Sequence, residues 1–331
     1  MRAVRFHRYG DIDVLGVEDV EPRPLGPRDV QVRVRAAGIN PGEAKIRTGA
    51  LHAWLPAVFP SGQGSDLAGT VTATGAAVTG WMVGDPVLGW SWERSSHAEY
   101  VVVPEDQLVR KPDGLPWVAA GALYVAGSTA VASVAAVAPR AGETVVVSGA
   151  TGGVGSLAVQ LLRLRRANVV AVASARHQDW LESQGATRIG YGSGVAERLR
   201  RSIEGDAGGT AHAFLDFHGG DYPRIALSLG VPPGRINTLD HGAATALGTR
   251  SQGSAEGTGR TELAELAELA ATGRIEVPIS RTHPLAEVRE AFAHLEHDHP
   301  LGKVVLLPDL GPAAAPSTGG DAPGSDTPRR P

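Results

Sequence analysis

A glycine-rich loop follows a short apolar run and precedes a helical pattern in the middle of the chain. The loop is formed by Gly149, Ala150, Thr151, Gly152, Gly153, Val154 and Gly155. Residues 144–147 before it are mainly β-branched and too few for a helix, which is typical of a parallel strand buried on both faces. Glycines allow a tight turn and a close approach to a pyrophosphate, and the following helix, expected at 154–164, offers its first amides to the anion. This context predicts a dinucleotide-binding site rather than a glycine-rich turn without a ligand.

The chain changes character near residue 117, from a β-rich part to a part in which strands and helices alternate. In the first part, short runs between glycines and prolines predict strands at 30–35, 67–74, 83–88 and 97–103. Short or packed helices are expected at 41–48 and within 117–138. After the glycine loop, strands are expected at 168–173, 188–191, 213–216 and 234–239, with a helix at 178–184. The predicted fold class is therefore α/β, a β-rich domain plus a Rossmann doubly wound parallel sheet.

Two segments toward the C-terminus have simple sequence patterns. Residues 261–270 predict a helix in which Thr261 is the expected N-cap and Gly273 the expected stop. We interpret it as an ordinary surface helix rather than a partner-binding one. From about residue 308 the chain is rich in Pro, Gly, Ala, Ser and Thr, so residues 308–331 are predicted to be a disordered tail.

The choice of nicotinamide cofactor depends on the end of the second strand of the predicted unit. An NAD-binding chain carries Asp or Glu there, about 20 residues after the glycines, to accept from the ribose 2′-hydroxyl. This chain has Ser174 and Arg176 instead. Ser174 leaves space for a 2′-phosphate, Arg176 offers a charged partner, and Tyr191 is placed to close the same pocket. The sequence predicts NADPH over NADH, although arginine is also the commonest cation throughout the chain.

Composition excludes several classes of function. The chain has 331 residues, enough for two domains, and a formal net charge of −4, which argues against general nucleic-acid binding. No apolar run approaches the roughly 20 residues that span a bilayer, so no membrane role is expected. Charged residues interrupt the N-terminus, where a signal peptide would be apolar, so a cytoplasmic location is expected. Cysteine is absent, which excludes disulfides, thiol catalysis and thiolate zinc sites.

Motifs spread over residues 1 to 307 resemble the zinc-free quinone oxidoreductase branch of the medium-chain dehydrogenase/reductase superfamily. Apart from the glycine loop they are, in chain order, Gly38-Ile39-Asn40-Pro41-Gly42-Glu43, Gly64-Ser65-Asp66-Leu67-Ala68-Gly69, Gly84-Asp85-Pro86-Val87, Ala98-Glu99-Tyr100, Gly127-Ser128-Thr129-Ala130 and Gly302-Lys303-Val304-Val305-Leu306. Each motif alone is modest evidence for the family, but the ordered set of motifs is strong evidence.

The resemblance implies a domain arrangement and several roles. It implies a GroES-like catalytic domain over residues 1–120, to which residues 275–307 return, and a Rossmann domain over 121–274 that commonly mediates a homodimer. It implies that Asn40 faces the nicotinamide and the substrate. It also implies that Thr129 lines the nicotinamide ribose and that Leu239 lies in the loop that meets the carboxamide.

Zinc-binding alcohol dehydrogenases are the nearest alternative. Where they carry a Cys in the early Gly-Ile-Cys segment and a His-Glu pair in the next glycine turn, this chain has Asn40 and Ser65-Asp66. The cluster of His294, His297 and His299 is interpreted as a solvated helix end. No bound metal is expected.

The resulting prediction is an NADPH-dependent reductase that transfers a hydride to a quinone or an α,β-unsaturated carbonyl without a metal. Without a Lewis acid, the acceptor must already be electrophilic, and hydrogen-bond donors must meet the charge that develops on its oxygen. His52 is the candidate proton donor, because no tyrosine lies between Tyr9 and Tyr100. A non-catalytic NADPH-binding sensor or structural protein of the same fold is the alternative.

Overall fold

The computed structural model describes residues 1–206, 209–254 and 259–308. Strands dominate the first 110 residues, as predicted. They are β1 (Arg2–Phe6), β2 (Gly16–Asp19), β3 (Asp29–Gly38), β4 (Ser61–Gly62), β5 (Asp66–Thr74), β6 (Pro86–Trp90), β7 (Tyr100–Pro104) and β8 (Leu108–Arg110). Helix α1 (Pro41–Arg47) follows β3, and α2 (Trp117–Ala120) follows β8.

The second part alternates strands and helices around a parallel sheet. Its strands are β9 (Thr144–Ser148), β10 (Asn168–Val172), β11 (Ala186–Ile189), β12 (Ala213–Asp216) and β13 (Ile236–Thr238), arranged in the order β11-β10-β9-β12-β13 with all neighbours parallel. Its helices are α3 (Tyr124–Val137), α4 (Gly153–Leu164), α5 (Gln178–Ser183), α6 (Val195–Asp206), α7 (Tyr222–Ser228), α8 (His241–Leu247) and α9 (Arg260–Ala271). The predicted α/β fold class is confirmed.

Both faces of the parallel sheet are covered, which explains the unbroken apolar run of β9. Val145 and Val147 belong to a core that includes residues of α3, α4 and α9. Val146 points to the opposite face, into a core with Leu199 of α6 and Tyr222 of α7. All three valines are fully buried. Burial on both faces favours a continuous run of β-branched residues over an alternating pattern.

The C-terminal strands join the sheet of the N-terminal part. Strands β14 (Ile279–Pro284) and β15 (Lys303–Leu307) are connected by α10 (Val288–His297). The seven-stranded sheet has the order β14-β15-β3-β5-β6-β8, with β7 also paired to β3. Strand β15 runs antiparallel to the end of β3, with Val305 opposite Gly38. The last strand therefore lies beside the segment that leads into Asn40.

Several element boundaries differ from the predicted ones. Strand β6 begins at Pro86 rather than 83, because residues 82–85 form a turn in which Gly84 has φ +97°. Strand β11 ends at Ile189 rather than at the predicted residue 191. Gly192, three positions later, has φ +94°. The prediction that Thr261 caps α9 is wrong. The N-cap is Gly259, whose amide donates to the Glu262 carboxylate at 3.0 Å.

The C-terminal tail and the membrane-spanning potential of the helices were also predicted from the sequence. The predicted disordered tail, 308–331, lies outside the described residues apart from Pro308. Among the helices that the structure describes, none combines the length and the apolar character needed to cross a membrane.

Candidate functional site

The glycine loop connects the end of β9 to the start of α4. Gly149 adopts φ +64°, which glycine tolerates and other residues rarely do. A Cβ on Gly155 would lie 2.1 Å from the carbonyl oxygen of Gly149, so only glycine allows the helix to pack so closely on the loop. The backbone amides at the start of α4, beginning with Gly153 and Val154, lie at the positive end of the helix dipole. These features fit the pyrophosphate of a dinucleotide.

The residues predicted to select the cofactor lie at the ends of β10 and β11. Ser174 caps a short 3₁₀ turn, and its Oγ lies 3.4 Å from both the backbone N and the Nε of Arg176. The Nη1 of Arg176 donates to the carbonyl oxygen of Asp298 at 3.1 Å. Tyr191, 59% exposed, lies on the loop after the neighbouring strand. Arg198, which the sequence analysis missed, donates to carbonyl oxygens of that loop, including that of Tyr191 at 3.2 Å.

A cavity of about 580 Å³ adjoins Arg176. It is lined by Arg176, His177, Ser280, His294, His297, Asp298, Pro300 and Leu301. The His294 ring is bonded to Ser280 and Asp298, at 2.9 and 2.8 Å. Burial lowers the pKa of His177, and the positive charge of Arg176 lowers it further, against a backbone hydrogen bond to His299 that raises it. His294 and His297, two residues of the predicted solvated helix end, thus line the cavity beside Arg176.

Asn40 lies in a buried cluster of charged side chains. It is the N-cap of α1, is 5% exposed, and its backbone N–H donates to the Glu43 carboxylate at 2.9 Å. Its side-chain Nδ2 donates to Asp66 at 3.2 Å and to Glu43 at 3.4 Å, while its Oδ1 accepts from Lys303. His97 approaches Glu43 to 3.8 Å. The amide of Asn40 is therefore engaged at both ends by protein groups.

Like Asp66, Glu43 and His97, Lys303 belongs to this cluster but received no role in the sequence analysis. Its side chain is almost fully buried, and its Nζ donates to the carbonyl oxygen of Ile39 at 3.1 Å and to Asp66 at 3.2 Å. The available signal was its rarity: the chain has only three lysines, and this one falls inside a recognised motif.

Asp66 connects the Asn40 cluster to helix α3. Its Oδ1 accepts from the backbone N–H of Val125 at 2.7 Å, in the first turn of that helix. Thr129 lies one turn later, is buried, and donates from Oγ1 to the carbonyl oxygen of Val125 at 2.6 Å. A Cβ on Gly253 would lie 3.8 Å from a methyl of Leu239 and 4.0 Å from the methyl of Thr129. The side chains of Thr129 and Leu239 thus both lie close to Gly253.

His52 is not joined to this cluster by any contact that the described residues show. Its Nδ1 lies 2.7 Å from the hydroxyl of Tyr9, which in turn accepts from the backbone N–H of Ala57 at 2.9 Å. His52 is exposed and follows α1, whereas Asn40 precedes it. A seven-residue helix is about 10 Å long at 1.5 Å per residue, which separates the two.

An aromatic group lies beside Asp66. Trp90, opposite Asp66 in the β5–β6 pairing, stacks on Tyr124 with ring centroids 4.3 Å apart, and Trp92 meets the Tyr124 ring edge-on at 6.1 Å. Burial raises the pKa of the Tyr124 phenol well above its ordinary value, and the charge of Asp66 raises it further. The Tyr124 hydroxyl and the Trp90 indole N–H are buried without a hydrogen-bond partner among the described residues.

Metal ligation has no counterpart in the described parts of the chain. Residues 1–206, 209–254 and 259–308 contain no group of three His, Cys, Asp or Glu side chains arranged to hold an ion.

Two protein-family models match the chain. "Alcohol dehydrogenase GroES-like domain" matches residues 26–113, and "Zinc-binding dehydrogenase" matches residues 198–306. A quinone oxidoreductase of Pseudomonas aeruginosa is 29% identical, covering 93% of this chain and 99% of the relative. A chloroplastic NADPH-dependent alkenal/one oxidoreductase of Arabidopsis thaliana is 30% identical, covering 93% of this chain and 80% of the relative.

A solved structure shares the fold over nearly the whole chain. The quinone oxidoreductase of Escherichia coli, solved in complex with NADPH, has a TM-score of 0.82 and 23% identity, covering 93% of this chain and all of that one (100%).

Proposed function

The chain belongs to the quinone oxidoreductase branch of the medium-chain dehydrogenase/reductase superfamily, and we propose that it is an NADPH-dependent reductase of quinones or α,β-unsaturated carbonyls that works without a metal. Its fold and relatives support an oxidoreductase that binds a nicotinamide dinucleotide. The preference for NADPH, the acceptor and the metal independence are the proposal.

One observation carries the proposal most directly. The backbone N–H of Gly302 donates to the carbonyl oxygen of Thr151 in the glycine loop at 2.8 Å, and the next residue, Lys303, reaches Asn40. Residues 302 and 303 therefore contact both the predicted dinucleotide loop and Asn40, the residue predicted to face the substrate. A site for hydride transfer requires cofactor and acceptor to be held side by side.

The NADPH preference is supported by charge and by relatives. No acidic side chain stands at 173–176, where it would repel a 2′-phosphate, and Arg176 offers a guanidinium. The Arabidopsis relative is named as NADPH-dependent, and the Escherichia coli structure contains NADPH.

The residues predicted near the nicotinamide and the acceptor have separate roles in this proposal. A reduced nicotinamide bound at the glycine loop would supply the hydride. Thr129 and the segment of Leu239 would line its nicotinamide end, and Asn40 would border the acceptor. A proton-donor role for His52 requires an acceptor long enough to reach the loop beyond α1. His52→Asn tests that role, because it removes the ionisable group and keeps a hydrogen-bonding side chain.

We also propose the domain division, assembly and location expected from the sequence. Residues 1–120 and 275–307 would form the catalytic domain and residues 121–274 the cofactor domain. The chain would form a homodimer in the cytoplasm. Light scattering of the purified protein checks the dimer.

The experiment is a matched assay of cofactor oxidation. NADPH and NADH are supplied in parallel with quinones, α,β-unsaturated ketones and simple aldehydes, with and without a chelator. We expect turnover of quinones or enones with NADPH that is unaffected by chelation. Activity on aldehydes alone, or stoichiometric zinc by elemental analysis, would contradict the proposal. Tight NADPH binding without any turnover would instead favour a non-catalytic sensor or structural protein.

A further inference from the structure

Lys303 contacts both the glycine loop and Asn40, the two parts of the proposed site. It is 3% exposed, and the carbonyl oxygen of Pro278 accepts from its backbone N–H at 2.8 Å. Its aliphatic stem runs along the glycine loop, because a Cβ on Gly153 would lie 2.8 Å from the Lys303 Cδ. The lysine thus touches the glycine loop with its stem and Asn40 with its ammonium group.

All three protons of the ammonium group have acceptors. They are the carbonyl oxygen of Ile39 at 3.1 Å, the Oδ2 of Asp66 at 3.2 Å and the Oδ1 of Asn40. An ammonium group has three donors and no acceptor, so Lys303 has no proton left to offer an incoming acceptor molecule. Its contribution must act through the groups that it holds.

The charges around Asn40 determine which way its amide points. Lys303 presents only donors, so it selects the oxygen end of the amide, and the carboxylates of Asp66 and Glu43 select the nitrogen end. A reversed amide would set N–H groups against an ammonium and oxygen against two carboxylates. The orientation of Asn40 therefore depends on a cation at position 303 and an anion at position 66.

We propose that Lys303 is a positioning residue that fixes the Asn40 amide relative to the glycine loop, so that cofactor and acceptor are held in register. This inference rests on the proposed reductase function and adds the residue that couples its two sub-sites. Asp66 extends the coupling to α3 through Val125, and so to the helix that carries Thr129.

The main variant is Lys303→Met, which keeps the stem and removes the charge. We expect kcat to fall about 100-fold, the loss that a misplacement of about 1 Å can cause, while the Kd for NADPH stays nearly constant because the backbone bond from Gly302 to Thr151 is retained. Lys303→Arg should recover part of the turnover, since it restores a cation. Lys111→Met is the matched control. The Nζ of Lys111 donates to carbonyl oxygens of Pro112 and Leu115, at 2.9 and 2.7 Å.

A purely structural ion pair makes a different prediction, and the double variant Lys303→Met/Asp66→Asn distinguishes the two. Removing one partner leaves a buried uncompensated charge, whereas neutralising both relieves that cost. We expect the double variant to regain the melting temperature lost in Lys303→Met and to remain slow. Recovery of turnover together with stability would overturn the proposal, as would wild-type kcat in Lys303→Met. Absence of turnover in the wild-type protein overturns the proposed function itself, so the two failures are distinguishable.

Discussion

The guanidinium of Arg176 donates to the backbone carbonyl of Asp298 at 3.1 Å, across 122 residues of sequence. This bond connects the loop after β10 to the segment between α10 and β15. A guanidinium has five N–H donors, and the described bonds to Ser174 and Asp298 use only some of them. Arg176 is thus held in place at the edge of a cavity and retains donors for an anion.

Replacing Arg176 with alanine should weaken NADPH binding selectively. A hydrogen bond to a charged group contributes about 1.5–3 kcal/mol, so we expect the Kd for NADPH to rise about 10- to 100-fold. The Kd for NADH, which lacks the 2′-phosphate, should change little. Titration of both cofactors by calorimetry measures the difference.

A matched control for this variant is Arg201→Ala, which removes an arginine that pairs with Glu197 on the surface of α6. Its affinities for both cofactors should equal those of the wild type. An equal loss of NADH and NADPH affinity in Arg176→Ala would contradict the assignment of a 2′-phosphate site.

Gly155→Ala should disrupt the glycine loop. The added Cβ would lie 2.1 Å from the Gly149 carbonyl oxygen and 2.8 Å from the Ala150 Cα, both backbone atoms that cannot move alone. We expect lower affinity for both cofactors and a destabilisation of about 1–3 kcal/mol, measured by urea unfolding. The control, Gly205→Ala in exposed helix α6, meets no atom within 4 Å and should stabilise by up to about 1 kcal/mol. Unchanged cofactor affinity in Gly155→Ala would argue against a pyrophosphate at the loop.

Glu296→Ala should destabilise the protein around α1 and α10. Glu296 receives two bonds from the fully buried Arg47, at 3.0 and 3.3 Å, and Arg47 also lies over the Phe292 ring at 5.3 Å. Without Glu296, Asp11, 3.6 Å away, is the one anionic partner that the described residues still offer the guanidinium. Leaving a buried charge poorly compensated costs about 3 kcal/mol, which a urea titration would measure.

This loss has a consequence for the site, because Arg47 ends the helix that Asn40 begins. On heating, we expect Glu296→Ala to lose turnover at a lower temperature than the wild type does. The control is Glu290→Ala on α10, the helix that carries Glu296, because Glu290 forms no ion pair within the described residues. An unfolding free energy equal to that of the wild type would show that the Arg47 pair contributes nothing.

Glu143 should contribute stability that disappears in acid. Burial raises its pKa, but hydrogen bonds from the Arg140 backbone N–H and the Arg235 guanidinium outweigh it and hold the pKa below the ordinary value of 4.5. A carboxyl whose pKa is lower in the folded state stabilises the fold at pH values above its unfolded-state pKa. This contribution to stability is lost as the pH falls through the folded-state pKa. Glu143→Gln should therefore cost about 1 kcal/mol above about pH 4.5, and the difference should shrink at lower pH.

Unfolding of the wild type and of Glu143→Gln is compared between pH 3 and pH 7. The control is Glu268→Gln on α9, because the Glu268 carboxylate has no partner among the described residues. A stability difference that stays constant with pH would contradict an ionised, bonded Glu143.

Tyr124→Phe should leave stability unchanged or raise it. The Tyr124 hydroxyl is buried and unpaired among the described residues, and leaving such a group unsatisfied costs about 1–3 kcal/mol. Phenylalanine keeps the stack on Trp90. Thermal unfolding measures the change, and a large destabilisation would show that the hydroxyl has a partner such as a buried water.

Local patterns were sufficient to predict the parallel sheet and the glycine loop. The β-branched run of β9, the loop and α4 are consecutive in sequence, so their relationship is visible without the fold. Strand β1 was missed because Arg2 and Arg5 interrupt its apolar residues. Helix α6 was missed although its buried residues Val195, Leu199 and Ile203 recur at helical spacing between charged residues.

The charged cluster could not be predicted in the same way. Asn40 was recognised from its motif, but the side chain that orients it comes from Lys303, 263 residues later. No periodicity connects positions so far apart, and a lysine in a strand is ordinarily an exposed residue. The pairing becomes visible only when β15 is placed beside β3.

The bond between Gly302 and Thr151 also determines when the site can form during synthesis. The strands and helices of the parallel sheet leave the ribosome before β15 does. The core on one face of this sheet contains only residues 146–236, so this part can begin to fold first. The glycine loop lacks the hydrogen bond from Gly302 until residues 302 and 303 have emerged. In a nascent chain the parallel sheet can therefore form before its link to the rest of the site, and that link requires β15.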